Sequence, residues 1–370
     1  MLQSVKAFIK KEAVLCISAL CALATMLLVP PDKKYIEYID FRVLCLLLCL
    51  MAVVAGFRGV GVFRWMTYRL LRSLKSGRVL GLTLVMLPFF SSMLVTNDVA
   101  LIVFIPFTIT LLIQLGCEKS VIPVTVLQTV AANLGSMATP VGNPQNLFLY
   151  STYNLSAGEF FSVTLPLTAV SLICLSLSSI PVMPKALPEQ KLEEEKIESP
   201  KNLIVFSVLF ILCLLTVFRI VPYPVTTVIV VAALLIIDRS LIKEIDFMLL
   251  LTFVCFFIIS ENLGRTEAVR DFLQKLLSGN ALLTSVGTSQ IISNVPAAVL
   301  LSGFTDDWRA LLAGVNIGGL GTPVASLASL ITLKLYTASP KPKVMKFLGV
   351  FTISNIAGLA ILILFENLIK

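Results

Sequence analysis

The chain is a succession of long apolar runs, and two of the polar interruptions between them occur twice. Thr96, Asn97 and Asp98 sit between apolar arms at residues 79–90 and 99–115. Further on, Ser293, Asn294 and Val295 fill the same three places between two more apolar arms. A second matching stretch follows each copy, NLGSMATPVGNPQNLF at 133–148 and NIGGLGTPVASLASLI at 316–331. Asn133, Gly135, Thr139, Pro140 and Val141 align without gaps on Asn316, Gly318, Thr322, Pro323 and Val324.

A helix needs about 20 apolar residues to span a hydrocarbon core. On that measure the sequence predicts nine spans, at residues 13–29, 41–56, 121–150, 161–180, 202–218, 223–237, 247–260, 308–334 and 347–364. The third is interrupted, because Gly135, Pro140, Gly142 and Pro144 fall within ten residues and a regular helix does not keep them. The eighth is broken in the same way at 316–323. Each broken span reads as two half-helices joined by unwound backbone. Residues 58–78 carry six basic side chains and set Phe63, Met66, Leu70 and Leu74 on one face, with Arg69, Arg72 and Lys75 away from it. That is an amphipathic helix lying in the membrane interface. Residues 261–277 mirror it with Val269, Phe272, Leu273 and Leu276. The two duplicated tips read as hairpins that enter and leave on the same side. For the second, only 30 residues separate Lys275 from Asp306, and two full spans would need about 40.

Composition turns this outline into a membrane protein: 57% of the residues are hydrophobic and 14% charged, against about 25% charged in soluble domains, and the mean hydropathy is +0.96. Lys6, Lys10 and Lys11 before the first span resemble a signal peptide, but the later charges fit only if that segment stays as a span. The net charge of +8 reads as topology control rather than nucleic-acid binding. With the N-terminus inside, 20 of the 29 Lys and Arg fall in inside segments and nine outside. The expected orientation in the inner or plasma membrane is therefore N-terminus cytoplasmic and C-terminus outside. Seven of the eight cysteines lie in apolar runs and no CxxC occurs, so they read as small core residues. The chain has no histidine, no nucleophile motif and no pair of acids at depth, which argues against an enzyme.

The order of elements divides the chain into repeat one at 1–180, a cytoplasmic linker with the fifth span at 181–219, and repeat two at 220–370. One extra span inverts the second copy, and inverted copies permit alternating access around one midplane site. Hairpins and broken spans aim helix ends at that site. Ends with open carbonyls suit a cation, and starts with open N–H groups suit an anion. Thr96, Asn97, Ser293 and Asn294 offer neutral oxygens suited to a hard cation such as sodium. Asp98 is the one acid expected at the membrane midplane, where a charge is expensive and marks a function. It reads as a proton carrier or sodium ligand, or else as an N-cap of the arm that starts at Val99. Asn143, Asn146, Ser326 and Ser329 can donate hydrogen bonds to a cargo or satisfy unwound backbone. The glycines contribute packing, backbone freedom and their own N–H groups.

At TND (96–98), NLGSMATPVGNPQN (133–146), SNVP (293–296) and NIGGLGTP (316–323), the sequence resembles the ion transporter superfamily. The branch it resembles is that of arsenite/anion permeases and sodium/proton antiporters, with citrate transporters and divalent anion/sodium symporters as relatives. The resemblance implies an all-α, inverted-repeat transporter with nine spans, two re-entrant hairpins and two broken helices, working as an elevator in a homodimer. It implies sodium sites at Thr96, Asn97, Ser293 and Asn294, to which the reading of Asp98 above adds a fifth expected coupling-ion residue. The cargo would meet Asn97, Asn133, Gly135, Thr139, Pro140, Gly142, Asn143, Asn146, Asn294, Asn316, Gly318, Gly319, Thr322, Pro323 and Ser326. Sodium-coupled carboxylate carriers of this superfamily have Ser-Asn-Thr tips, whereas these read Thr-Asn-Asp and Ser-Asn-Val, so proton coupling stands beside sodium. Many relatives carry an acid in the run that is Asn143-Pro144-Gln145-Asn146 here, and its loss favours an anion as cargo. The expected function is secondary transport of a small inorganic or carboxylate anion, with no cofactor beyond the coupling ion. The alternatives are a sodium/proton antiporter and an arsenite-type efflux permease.

Overall fold

A computed structural model describes residues 12–71, 76–185 and 196–369. Lys6, Lys10, Lys11, Arg72, Leu74, Lys75 and residues 186–195 of the expected linker lie outside the described residues. The described chain is built from helices. Before the expected linker come α1 (Ala13–Leu28), α2 (Phe41–Gly59), α3 (Val62–Leu71), α4 (Gly77–Ser91), α5 (Asn97–Gln114), α6 (Glu118–Ser136), α7 (Pro144–Thr152) and α8 (Ala157–Ser179). After α9 (Pro200–Val217) come α10 (Tyr223–Ile237), α11 (Phe247–Gly264), α12 (Glu267–Ile292), α13 (Asn294–Ser302), α14 (Trp308–Ile317), α15 (Leu327–Thr337) and α16 (Val344–Ile369).

Local chemistry sets many of the helix starts. Asp40, Asp246 and Asp307 accept the backbone N–H groups of Val43, Leu249 and Ala310 at 3.0, 2.9 and 3.0 Å. Ser156 and Glu159 cap α8 reciprocally, and Pro144 opens α7, where its missing N–H is not needed. The two helical hairpins are α4–α5 and the pair formed by the second half of α12 with α13. The first packs around α6 and the second around α14. The two halves then exchange partners: α15 lies on α5, and α13 lies on α7. Helices α1, α2, α9, α10 and α11 form a flanking group, in which α1 packs on α11 and α2 on α9 and α10.

Six described helical segments are long and apolar enough to cross a membrane, judged by length and composition. Five of them are expected spans (α2, α8, α9, α11 and α16), and the sixth is the hairpin arm α5. The first and sixth expected spans are shorter apolar helices, Val14–Leu28 and Tyr223–Ile237. The third and eighth are each two pieces, α6 with α7 and α14 with α15. Large apolar side chains cover the outside: Leu27 is 86% and Ile236 84% exposed, a surface that lipid would solvate.

Two boundaries differ from the sequence reading. Glu261 belongs to the last turn of α11, and the second amphipathic segment starts at Glu267. It then runs straight into the hairpin arm across a break at Asn280, whose φ of −165° and ψ of 94° are extended. The first hairpin's second arm starts at Asn97 with Thr96 at the N-cap position, so Asp98 lies in the first turn and is not the cap.

Candidate functional site

Four helix ends and four helix starts meet in one region. The ends are those of α4, α6, α12 and α14; the starts are those of α5, α7, α13 and α15. Side-chain amides stitch them together. Asn97, at the start of α5, donates through Nδ2 to Asn133 Oδ1 at 3.0 Å, and its backbone N–H donates to Gly142 O at 3.2 Å. Its own Oδ1 accepts the Asp98 N–H at 3.0 Å. Asn133 Oδ1 also accepts from Ser326 Oγ at 2.9 Å, and Asn133 Nδ2 donates to Gly319 O at 3.4 Å. Asn143 caps α7 by accepting the Asn146 N–H at 3.0 Å and donates to Ser136 Oγ and Asn316 Oδ1 at 3.1 and 3.4 Å. Asn316 Nδ2 donates to Asn146 Oδ1 at 2.7 Å and to Leu312 O at 2.9 Å. Asn146 Nδ2 holds the unwound backbone through Met137 O and Thr139 O at 3.2 and 3.3 Å.

These bonds obey the sequence alignment. Asn133 aligns on Asn316 and Asn143 on Ser326, so the pairs Asn133–Ser326 and Asn143–Asn316 are the same contact made twice with the halves exchanged. Thr139 donates to Met93 O at 2.5 Å, and its counterpart Thr322 donates to Gln290 O, the counterpart of Met93, at 3.1 Å. The aligned carbonyls Gly142 O and Ala325 O each accept from a hairpin tip, from the Asn97 N–H at 3.2 Å and from Ser293 Oγ, the residue before Asn97's counterpart, at 3.4 Å. A Cβ on Gly135 would come within 2.8 Å of Ser92 Oγ, and one on Gly318 within 2.8 Å of the aligned Ser289. The two glycines are therefore where each hairpin crosses its broken helix.

The two breaks differ in exposure. Pro140, Gly142, Asn143 and Asn146 are buried, whereas Thr322 and Val324 are exposed and Pro323 is half-buried. Asn294 is buried with its amide against Gly319, and Ser293 holds a φ of 76°, a left-handed backbone costly for serine. Asp98 Oδ1 is shielded from solvent and has no hydrogen-bond partner among the described residues. It lines a cavity of about 200 Å³ together with Thr96, Pro144, Arg58, Glu244 and Asp246. A cavity of about 410 Å³ lies under the other tip, lined by Ser293, Val295, Pro296 and Val324. Among the described residues no group of His, Cys, Asp or Glu forms a metal cluster. The oxygens available at the tips are those of amides, hydroxyls and backbone, with Asp98 the one acid.

Two glutamines escaped the sequence reading. Gln290 donates to Gly318 O and Leu320 O, both at 2.9 Å, and accepts the Thr322 N–H at 2.9 Å, so it fastens the second hairpin to the second break. Gln128, fully buried, donates to Leu84 O and Thr108 Oγ1 at 2.8 Å, tying both arms of the first hairpin to α6. Each is an amide inside an apolar run, the same signal that singled out the asparagines.

Helical hairpins and broken helices within an apolar shell define an integral membrane transporter, and comparison with known proteins agrees. A family model described as citrate transporter matches residues 6–306, and the chain belongs to that family. An uncharacterized transporter of Methanocaldococcus jannaschii is 33% identical over 333 residues, covering 89% of this chain and 90% of the relative. The inner membrane protein YbiR of Escherichia coli is 30% identical over 306 residues, 82% of each chain. A shorter match is to the silicon efflux transporter LSI3 of Oryza sativa subsp. japonica, 31% identical over 135 residues, 36% of this chain and 27% of that one.

Proposed function

We propose that this protein is a secondary active transporter of a small inorganic or carboxylate anion, driven by protons or sodium through elevator-type alternating access. One observation carries the reading: the contacts Asn133–Ser326 and Asn143–Asn316, a single interaction repeated with the two halves exchanged. A site built from two equivalent halves has two equivalent ways to open, one toward each side. In this reading the hairpins, the broken spans and the helices that follow them move against the flanking helices in a homodimer. The anion rests on N–H groups and amides at the breaks, where four helix starts supply partial positive charge without a buried cation. The coupling ion binds at Thr96, Asn97 and Asp98, with a second place at Ser293 and Asn294.

Purified protein in liposomes tests this. Citrate, phosphate and arsenite are loaded in turn, and counterflow is followed with and without a sodium or proton gradient. Saturable uptake of one anion, raised by one gradient and lost in Asp98→Ala, is the expected result. Full gradient-driven activity in Asp98→Ala would remove that residue from the coupling site. The unpartnered Asp98 oxygen also favours a second reading, a sodium/proton antiporter, in which a sodium pulse acidifies or alkalises vesicles with no anion present.

A further inference from the structure

The cavities under the two hairpin tips adjoin and form two halves with a shared wall, the first under Ser293 and the second under Asp98. Asp246, Leu249 and Leu327 line both. The first half reaches Ser293 and Val295 of the second hairpin, and the second half reaches Thr96 and Asp98 of the first. Asp246 therefore borders the space under either tip.

The charges of this antechamber are uneven. Among the described residues its second half carries Arg58, Asp98, Glu244 and Asp246, and Glu12 lines the far side of the first. Arg58 is already paired with Glu244. Asp98 and Asp246 are left as the carboxylates that no cation in the second half offsets. The other charges on helices packed on α5 lie elsewhere: Arg78 of α4, Glu118 and Lys119 of α6 and Lys334 of α15 are remote in sequence from the ends that meet there, and on α3, which packs on α5 through Phe63, Arg64 pairs with Glu198 and Arg69 stacks over Trp65. A cleft with low-dielectric walls and one sign of charge focuses the field and raises the local concentration of counter-ions.

We propose that Asp246 makes this antechamber cation-selective, a specificity-determining residue that gathers the coupling ion for both hairpin tips. This rests on the transport reading above and adds to it an order of events. An anion approaching from this side meets a repulsive field until a cation is bound, so the cation enters first. Asp246 sits on the flanking helices rather than on a hairpin and touches no group of the amide network. Its carboxylate also accepts the Leu249 N–H at the start of α11. Asparagine caps a helix as well as aspartate does, so Asp246→Asn removes the charge and keeps the cap.

The test measures the field directly. Leu327→Cys puts a thiol on the wall shared by both halves, and its reaction rates with a cationic and an anionic methanethiosulfonate reagent are compared. Peptide mass spectrometry separates that thiol from the eight native cysteines. Relative to free cysteine, the cationic reagent is expected to be favoured. Asp246→Asn should lower that preference about threefold, as expected for one charge removed from a partly screened cleft. Asp246→Glu should retain it, and Arg58→Gln should raise it. In liposomes, Asp246→Asn should raise the sodium or proton concentration giving half-maximal transport and leave the maximal rate unchanged. A reagent preference that is the same with and without the Asp246 charge overturns the inference. A preference that falls as expected, in a protein whose transport ignores both sodium and protons, upholds the antechamber and overturns the coupling in the transport reading.

Discussion

Asn316 spends its amide entirely on its own chain. Nδ2 donates twice, to Asn146 Oδ1 and Leu312 O, and Oδ1 accepts from Asn143. Removing one partner strands buried polar groups at about 1–3 kcal/mol each. Asn316→Ala is therefore expected to lower the melting temperature of the detergent-solubilised protein and to abolish transport. Transport at the wild-type rate in Asn316→Ala would remove this residue from the cargo site. Away from the membrane-spanning segments, Arg265 donates to Asp32 at 2.9 Å, and this hydrogen bond holds the Asp32 carboxyl below its ordinary range despite opposing desolvation. A depressed carboxylate pKa contributes stability above the unfolded value and loses it as pH falls through the folded value. Both side chains are more than a third exposed, so the contribution is small. The melting-temperature difference between wild type and Asp32→Asn should be present at neutral pH, begin to shrink near about pH 4, where the unfolded carboxylate protonates, and vanish only below the depressed folded value. The asparagines were legible in sequence because amides in apolar runs are conspicuous. Asp32–Arg265 was not, because neither residue is unusual where it stands.

The duplicated motifs drew the hairpins and broken helices correctly because glycine and proline act within a few residues. Break one falls between Ser136 and Pro144, and break two between Ile317 and Leu327. The junction at Asn280 was missed because no Gly-Pro signal marks it; Gly279 alone precedes it. There the interfacial part of α12 meets the hairpin arm, and Asn280 Oδ1 accepts the Leu283 N–H at 2.9 Å, capping the arm like a new helix. Asn280→Ala removes that cap and favours a continuous helix, at a cost of about 1 kcal/mol. The expected outcome is a modest fall in melting temperature with faster amide exchange at residues 281–285. Unchanged exchange there would mean that packing, not the cap, sets the bend.

At the level of assembly, two groups of helices meet along the antechamber: the hairpins with their broken helices, and the flanking set of α1, α2, α9, α10 and α11. The orientation expected from the positive-inside count would put Arg58, Glu244 and the antechamber on the cytoplasmic side and Asn154 outside. Single cysteines introduced by Glu244→Cys and Asn154→Cys test this in intact cells with a membrane-impermeant maleimide. The second should label and the first should not; the reverse result would invert the orientation.

Hydropathy, duplication and the placement of charge were readable from the linear chain because each is local. An apolar run of given length, or a glycine beside a proline, means the same wherever its neighbours end up. The partners of the amides were not readable. Asn133 and Ser326 are 193 positions apart, Asp98 and Asp246 are 148 apart, and nothing near either member of a pair names the other. Those meetings follow from how the two halves pack, which depends on the close approach at Gly135 and Gly318 and on the exchange of α15 and α13 between hairpins.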